Sequence, residues 1–290
     1  MRQQLEHMAD QIEMILARNE SPARVTGGVV TPRAIRFDLS PALGTTPNRV
    51  RECAGELAEA LGLGAVRVFG PTHGYGALAV EVIRADAQPV ILADMLRRLP
   101  AVPFGTAVLG ICDDGAPLLL RLPSPDVGHV LIVGEHGAEL MHTIITSLTA
   151  MHRPHELQVV TRDTDGMPHA LNVEPREIIR TIESRLRVPT VRPLIIVALA
   201  DVTESDWDLL ITLTRQGQRA GVHIIGCARD TAVVDGARFG VRLVGQGEPD
   251  YFAAESGAGV VNFTAARVQG GESWNRIEAQ RFAALPAARD

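Results

Sequence analysis

The segment Gly134-Glu135-His136-Gly137-Ala138-Glu139-Leu140-Met141 stands in the strand-turn-helix setting of a phosphate-cradling loop. Val130-Leu131-Ile132-Val133 before it reads as a buried-type apolar strand. Residues 139–151 after it place apolar side chains at 140, 141, 144, 145, 148 and 151, which is one face of a helix. A strand, a glycine turn and a helix N-terminus together aim backbone N–H groups at an anion. A working loop of the form GxxxxGK[ST] also needs a Lys for the β- and γ-phosphates and a hydroxyl for Mg²⁺. Leu140 and Met141 hold those two positions. No Lys stands nearby to substitute, because all 28 basic residues of the chain are arginines.

The charges in the loop point the same way. A carboxylate about 5 Å from a phosphate charge costs ~3 kcal/mol at an effective dielectric near 20. Glu135 and Glu139 would each oppose a triphosphate. Leu140 and Met141 instead extend the apolar stripe of the helix, so packing is expected to have taken over the phosphate-binding positions.

The elements that must position this loop follow from the pattern on either side. Strand candidates at 130–133, 157–162, 194–199, 222–227 and 240–244 alternate with helices, the signature of a parallel sheet covered on both faces. Pro175 suits the first turn of a helix that carries Ile178, Ile179, Ile182 and Leu186 on one side. Ser205 with Asp208 is expected to form a capping-box-like start, and Gly221 a stop. Upstream, residues 2–18 space Leu5, Met8, Ile12, Ile15 and Leu16 as an amphipathic helix. Residues 33–39 alternate like a half-buried strand, and Asn48 is placed to cap a helix running to Leu61. Residues 65–69 and 78–83 read as strands and 89–99 as a short helix. The organisation expected is an N-terminal helix (1–24), a small α+β domain (25–122) and an α/β domain (123–290), with the turn-forming run 123–128 as the boundary.

A chain of 290 residues has room for roughly two domains, and its 46% apolar and 21% charged residues describe a folded chain rather than a disordered one. No run of about 18 apolar residues appears and the N-terminus is polar, so no membrane segment or signal sequence is expected and a cytoplasmic location is the natural reading. Cys53, Cys112 and Cys227 are odd in number and set in apolar surroundings, as buried reduced thiols are. A net charge of −6 speaks against a broad nucleic-acid surface, although a ring can present one basic face while acidic overall. His152-Arg153-Pro154-His155 is read as a surface turn rather than a metal pair. His129 is expected to serve a structural hydrogen bond, and Asp201 to be a strand-end carboxylate bonded to nearby backbone.

The order of these landmarks resembles the motor domain of the FtsK/SpoIIIE family of DNA translocases, from about residue 10 to 268. Residues 33–39 with Pro41-Ala42-Leu43-Gly44 and the 48–61 helix are similar to the family's strand, "APGV" turn and helix. Gly128-His129-Val130-Leu131-Ile132-Val133-Gly134 resembles its "PHLLVAG". Residues 193–201 resemble its Walker B strand, and 219–225 its "RAAGIHLVLATQR" strand. The resemblance implies a RecA-like P-loop NTPase fold with a parallel sheet, preceded by a small α+β domain and an N-terminal helix.

Carried over position by position, it also implies that the catalytic groups are lost. The family's GxxGxGK[ST] loop becomes Gly134, Gly137, Glu139, Leu140 and Met141. The Walker B pair falls on Ala200 and Asp201; a one-residue shift would put Asp201 in the metal shell and Val202 at the base position. The sensor residues fall on Ala228, Arg229 and Asp230. Arg238 and Arg242 keep the spacing of the family's "RIAFR" segment; the resemblance implies that they face a neighbouring subunit, and surface ion pairs are the alternative reading. No catalytic or metal-binding residue is assigned, and no cofactor is expected; ATP and Mg would bind only if the degenerate pocket still holds them.

Three functions are compatible with this resemblance. The leading one is a non-hydrolysing structural or regulatory subunit of a DNA-associated assembly, a homo-oligomer or a mixed ring beside an active FtsK-like motor, with double-stranded DNA as a partner. The second is an ATP-dependent DNA translocase with unusual site residues. The third is a protein-binding module like the degenerate ATPase domains of type VII secretion. After residue 268 only a short, partly helical tail is read, in which no sequence-reading DNA domain is expected.

Overall fold

The structure, a computed structural model, describes residues 2–62, 66–70, 78–84, 87–161, 170–188, 192–230 and 237–269. The tail read at 270–290 lies outside them, as do positions 65 and 162 of two expected strands. The chain divides into two units, Met1–Pro89 with Asp113–Ala116, and Val90–Cys112 with Pro117–Asp290.

In the first unit, helix α1 (Arg2–Arg18) leads into β1 (Ala23–Val30) and β2 (Ala34–Pro41). Helices α2 (Pro47–Glu52) and α3 (Ala54–Ala60) follow, then β3 (Val66–Phe69) and β4 (Leu78–Ile83). The strands form an antiparallel sheet in the order β1-β2-β4-β3. Ile12, Ile15 and Leu16 of α1 share a core with Val50, Leu57, Phe37, Leu39, Val80 and Val82, so the leader helix is part of this unit rather than a separate segment. The other face of the sheet carries Arg36 and Arg67 in register with Glu81. Burial pushes the Glu81 carboxyl up, and these arginines oppose the rise. Thr46, not Asn48, caps α2, its side chain accepting from Arg49 N–H. Pro47 decides this: its fixed φ and missing N–H suit the first helical position.

The second unit begins at Val90, not after 122. Its elements are α4 (Leu92–Arg98), β5 (Thr106–Cys112), β6 (Pro117–Arg121), β7 (Val130–Val133), α5 (Gly137–Met151), β8 (Leu157–Thr161), β9 (Ala170–Asn172), α6 (Pro175–Arg187), β10 (Leu194–Leu199), α7 (Trp207–Gln216), β11 (Val222–Ala228), β12 (Val241–Gly245), β13 (Tyr251–Ser256) and β14 (Gly259–Ala265). Strand pairing sets the boundary. Phe263, Thr264 and Ala265 of β14 align with Cys112, Ile111 and Gly110 of β5, and Arg267 N–H donates to Val90 C=O at 2.7 Å. Residues 90–112 thus belong to the large sheet, a long-range pairing that no local turn signal announces.

That sheet has ten strands in the order β6-β5-β14-β13-β12-β7-β11-β10-β8-β9. The five expected parallel strands are present as β7, β8, β10, β11 and β12, and an antiparallel wing of β13, β14, β5 and β6 extends the sheet. Alternate residues divide the core. Ile132, Ile196, Ile225 and Leu243 pack with α5 on one face; Leu131, Val197 and Ile224 pack with Ile178, Ile182, Leu209 and Leu213 of α6 and α7 on the other. Strand β7 is flanked by β12 and β11, so whatever follows Val133 opens at the carboxyl ends of the central strands, where ligands sit in open α/β sheets.

Candidate functional site

Only Gly134, Glu135 and His136 separate β7 from α5. Gly134 takes φ 121°, a conformation that favours glycine, and its N–H donates to Ala228 C=O at 3.2 Å. The helix was expected from 139 and begins at Gly137. Ala138, Glu139 and Leu140 are good helix formers, and Glu139 stands where the family loop has a second glycine to hold the chain open. Gly137 N–H donates to Gly134 C=O at 3.2 Å and Leu140 N–H to His136 C=O at 3.4 Å. The amide at the Lys position is therefore committed to the first helical turn.

The side chains there are committed as well. Leu140 is 2% exposed and Met141 0%, both in the core beneath α5. Met141 Sδ lies 3.8 Å from Cys227 Sγ on β11. Gly137 remains a glycine for packing: a Cβ there would sit 3.3 Å from Ile132 Cγ2 and 3.5 Å from Cys227 Sγ.

Charge at the mouth is acidic. Glu135 and Glu139 are exposed at the N-terminus of α5, where the helix dipole favours negative charge. His136 Nδ1 is 3.8 Å from Glu139 Oε1. Burial, and then Glu139 and Asp201, push the Cys227 thiol up to about 12, so it stays protonated at neutral pH. Ala200 is half-buried against the core, whereas Asp201 is exposed and makes no side-chain hydrogen bond among the described residues, contrary to the expected backbone contact. Val202 N–H instead ties this turn to Cys227 C=O at 2.8 Å. Among the described residues no group of His, Cys, Asp and Glu is arranged to hold a metal ion.

Arg238 and Arg242 are not part of this constellation. Arg242 pairs in register with Leu131, near the start of β7, and both arginines are exposed. They lie toward the strand entry, away from Gly134. Ala138 and Glu139 line instead a cavity of about 740 Å³ beside the loop, together with His142, Thr143, Asp250, Phe252 and Arg267. The sequence reading missed the residues of this cavity that follow Gly245. Nothing in their local pattern marks them, because β13 and β14 reach α5 only through the antiparallel wing.

Histidines brace the entry end of the central strands, opposite Gly134. Ile224 N–H donates to His129 Nδ1 at 3.3 Å, and His223 Nδ1 donates to Gly128 C=O at 2.5 Å. Burial, with His223 as a lesser cause, pushes His129 down to about 3, and burial also holds His223 low. The structural role expected of His129 is the one observed. His152 departs from its reading as a surface residue: it is buried, with Nδ1 at 2.7 Å from Leu148 C=O and Nε2 accepting from Gly105 N–H at 3.1 Å.

With this geometry in view, comparisons with known proteins find related sequences and folds. The family model described as the FtsK alpha domain matches residues 1–83, close to the limits of the first unit. The DNA translocase FtsK of Mycobacterium leprae (strain TN) is 24% identical over 178 residues, 57% of this chain and 21% of the relative. The DNA translocase SpoIIIE of Bacillus subtilis (strain 168) is 26% identical over 163 residues, 51% of this chain and 20% of its own length. The chain resembles FtsK/SpoIIIE DNA translocases. It spans about a fifth of the length of these curated relatives. Two solved structures share the fold: the pCW3 conjugation coupling protein TcpA, in monomer form with ATPgS, has a TM-score of 0.51 at 13% identity, covering 95% of this chain and 99% of that one. The cytoplasmic domain of EssC has a TM-score of 0.50 at 14% identity, covering 83% and 58%. The fold is that of RecA-like P-loop ATPases, as the sequence resemblance implied. Among the described residues no helix is long and apolar enough to cross a membrane.

Proposed function

We propose that this chain is a FtsK/SpoIIIE-like motor domain that does not hydrolyse ATP and serves as a structural or regulatory subunit of a DNA-associated assembly in the cytoplasm. The observation that carries the reading is the burial of Leu140 and Met141 in the core, with the Leu140 amide bonded to His136 C=O. Groups that would hold a β,γ-phosphate and its Mg²⁺ are thereby replaced by packing contacts, and Glu135 and Glu139 occupy the favourable field of the helix N-terminus. Opening the loop would expose two core side chains at about 1.5–3 kcal/mol each, with no cation to offset the loss. Neither ATP nor Mg²⁺ is a cofactor in this reading.

The exposed Arg238 and Arg242 support a contact with a neighbouring subunit, either a second copy or an active FtsK-like motor in a mixed ring around double-stranded DNA. The test is calorimetric titration with Mg-ATP, with phosphate release measured in the presence of duplex DNA. Neither a binding isotherm in the micromolar range nor turnover is expected; micromolar binding with turnover would overturn the proposal.

A further inference from the structure

The cavity beside the filled loop, about 740 Å³, is of the size that holds a small organic ligand. Its floor includes Leu140, Phe252 and Ala266, all nearly fully buried, and its rim includes the carboxylates of Glu139 and Asp250. The cationic groups among its described lining residues are engaged or neutral. Arg267 Nη2 is 3.1 Å from Asp250 Oδ2, and burial holds the His142 imidazole below its ordinary range; His136 stands 3.8 Å from Glu139 Oε1, but the Glu139 side chain is 72% exposed and open to a further partner. An anion entering here would meet Glu139 with no free cation to receive it. A positive group on an apolar stem meets the opposite situation: the stem covers apolar floor and the charge remains at the wet rim.

We propose that this cavity binds an alkyl guanidinium or alkylammonium group, its methylenes against Leu140 and Phe252 and its charge against the Glu139 carboxylate. The same chemistry is available from a small free amine or from an arginine side chain of a second copy of this chain. The site rests on the reading that the loop no longer holds a nucleotide, and the test separates the two. Agmatine and ADP are titrated by calorimetry into the whole protein and into Glu139→Gln at low ionic strength. Glu139 is exposed, so this variant keeps the fold.

Saturable one-to-one agmatine binding is expected, roughly fivefold weaker in Glu139→Gln, the share of an exposed ion pair. Absent saturation, or equal affinity in the two proteins, overturns the site. ADP that binds without displacing agmatine supports the cation site while overturning the nucleotide-free reading; ADP that competes with agmatine overturns both. Sedimentation velocity on the same samples identifies the source. Self-association dispersed by agmatine assigns the cation to a second copy, and a monomer at all concentrations assigns it to a free amine.

Discussion

Cys227 Sγ on β11 lies 3.8 Å from Met141 Sδ on α5, so the helix that opens the candidate site is joined to its neighbouring strand by two apolar sulfurs. A hydroxyl is needed at position 141 to hold Mg²⁺. Here the position is spent on burying the thiol, and the thiol's pKa is raised by that burial. Burial of the side chain at 141 and closure of the helix onto the sheet are thus one packing event, because Gly137 at the start of the same helix packs against Ile132 and the same Cys227.

Placing a lysine at position 140 is expected to harm the fold rather than create nucleotide binding. Leu140→Lys forces an ammonium into a site that is 2% exposed, at a cost of about 3 kcal/mol or more. Urea denaturation should show the loss, and Mg-ATP should not recover it. A Leu140→Lys protein with unchanged stability and new nucleotide affinity would mean that the loop opens readily.

Acid should loosen the base of the same strand. The folded-state pKa of His129 is about 3 and that of His223 is also lowered, both below the ordinary value of about 6.5. The unfolded chain therefore binds more protons than the folded one between those limits, and stability falls as pH drops below about 6.5. For one strongly depressed histidine the loss reaches about 2 kcal/mol at pH 5. Denaturation midpoints measured from pH 7.5 to 5 should fall, and His129→Gln, which removes one titrating ring, should flatten the slope. An unchanged midpoint across this range would contradict the buried neutral pair.

The parallel core was legible because its strands are apolar runs: 130–133 and 194–199 are continuous, and 222–227 is broken only by His223 and Gly226, so each marks itself without reference to any partner. The filling of the loop was legible for a related reason, since Leu140 and Met141 continue the helical stripe of Ile144, Ile145 and Leu148. What could not be read was non-local. The assignment of 90–112 to the large sheet depends on Gly110 meeting Ala265, and the cavity depends on Phe252 and Arg267 reaching α5. His152 misled because Arg153 and Pro154 give its segment the composition of a surface turn, while its ring points inward to bond Gly105 and Leu148.

The start of α7 offers a sharp comparison between two aspartates. Asp206 Oδ2 accepts from Thr203 N–H at 2.9 Å and from Thr203 Oγ1 at 3.1 Å, so the cap lies two residues before the Ser205–Asp208 pair that the spacing suggested. A 3₁₀ turn at Glu204–Asp206 precedes the α-helix and moves its effective start upstream. Asp206→Ala should cost about 1–2 kcal/mol in chemical denaturation, and Asp208→Ala no more than about 0.5. Reversed magnitudes would restore the Ser205–Asp208 cap.

The boundary of the second unit can be tested at Gly110. A Cβ there would lie 2.0 Å from Thr264 C=O oxygen and 2.9 Å from Ala265 Cα, both backbone atoms of the strand across the pair. Gly110→Ala must push β5 away from β14, and the expected loss is about 3 kcal/mol or more. Hydrogen exchange should accelerate at the amides of β5 and β14. Gly55→Ala is the control: its Cβ meets nothing within 4 Å, and α3 should gain about 0.5–1 kcal/mol from the better helix former. If Gly110→Ala were tolerated as easily as Gly55→Ala, residues 90–112 would not be held by the large sheet, and the boundary would return to the turn-rich run at 123–128.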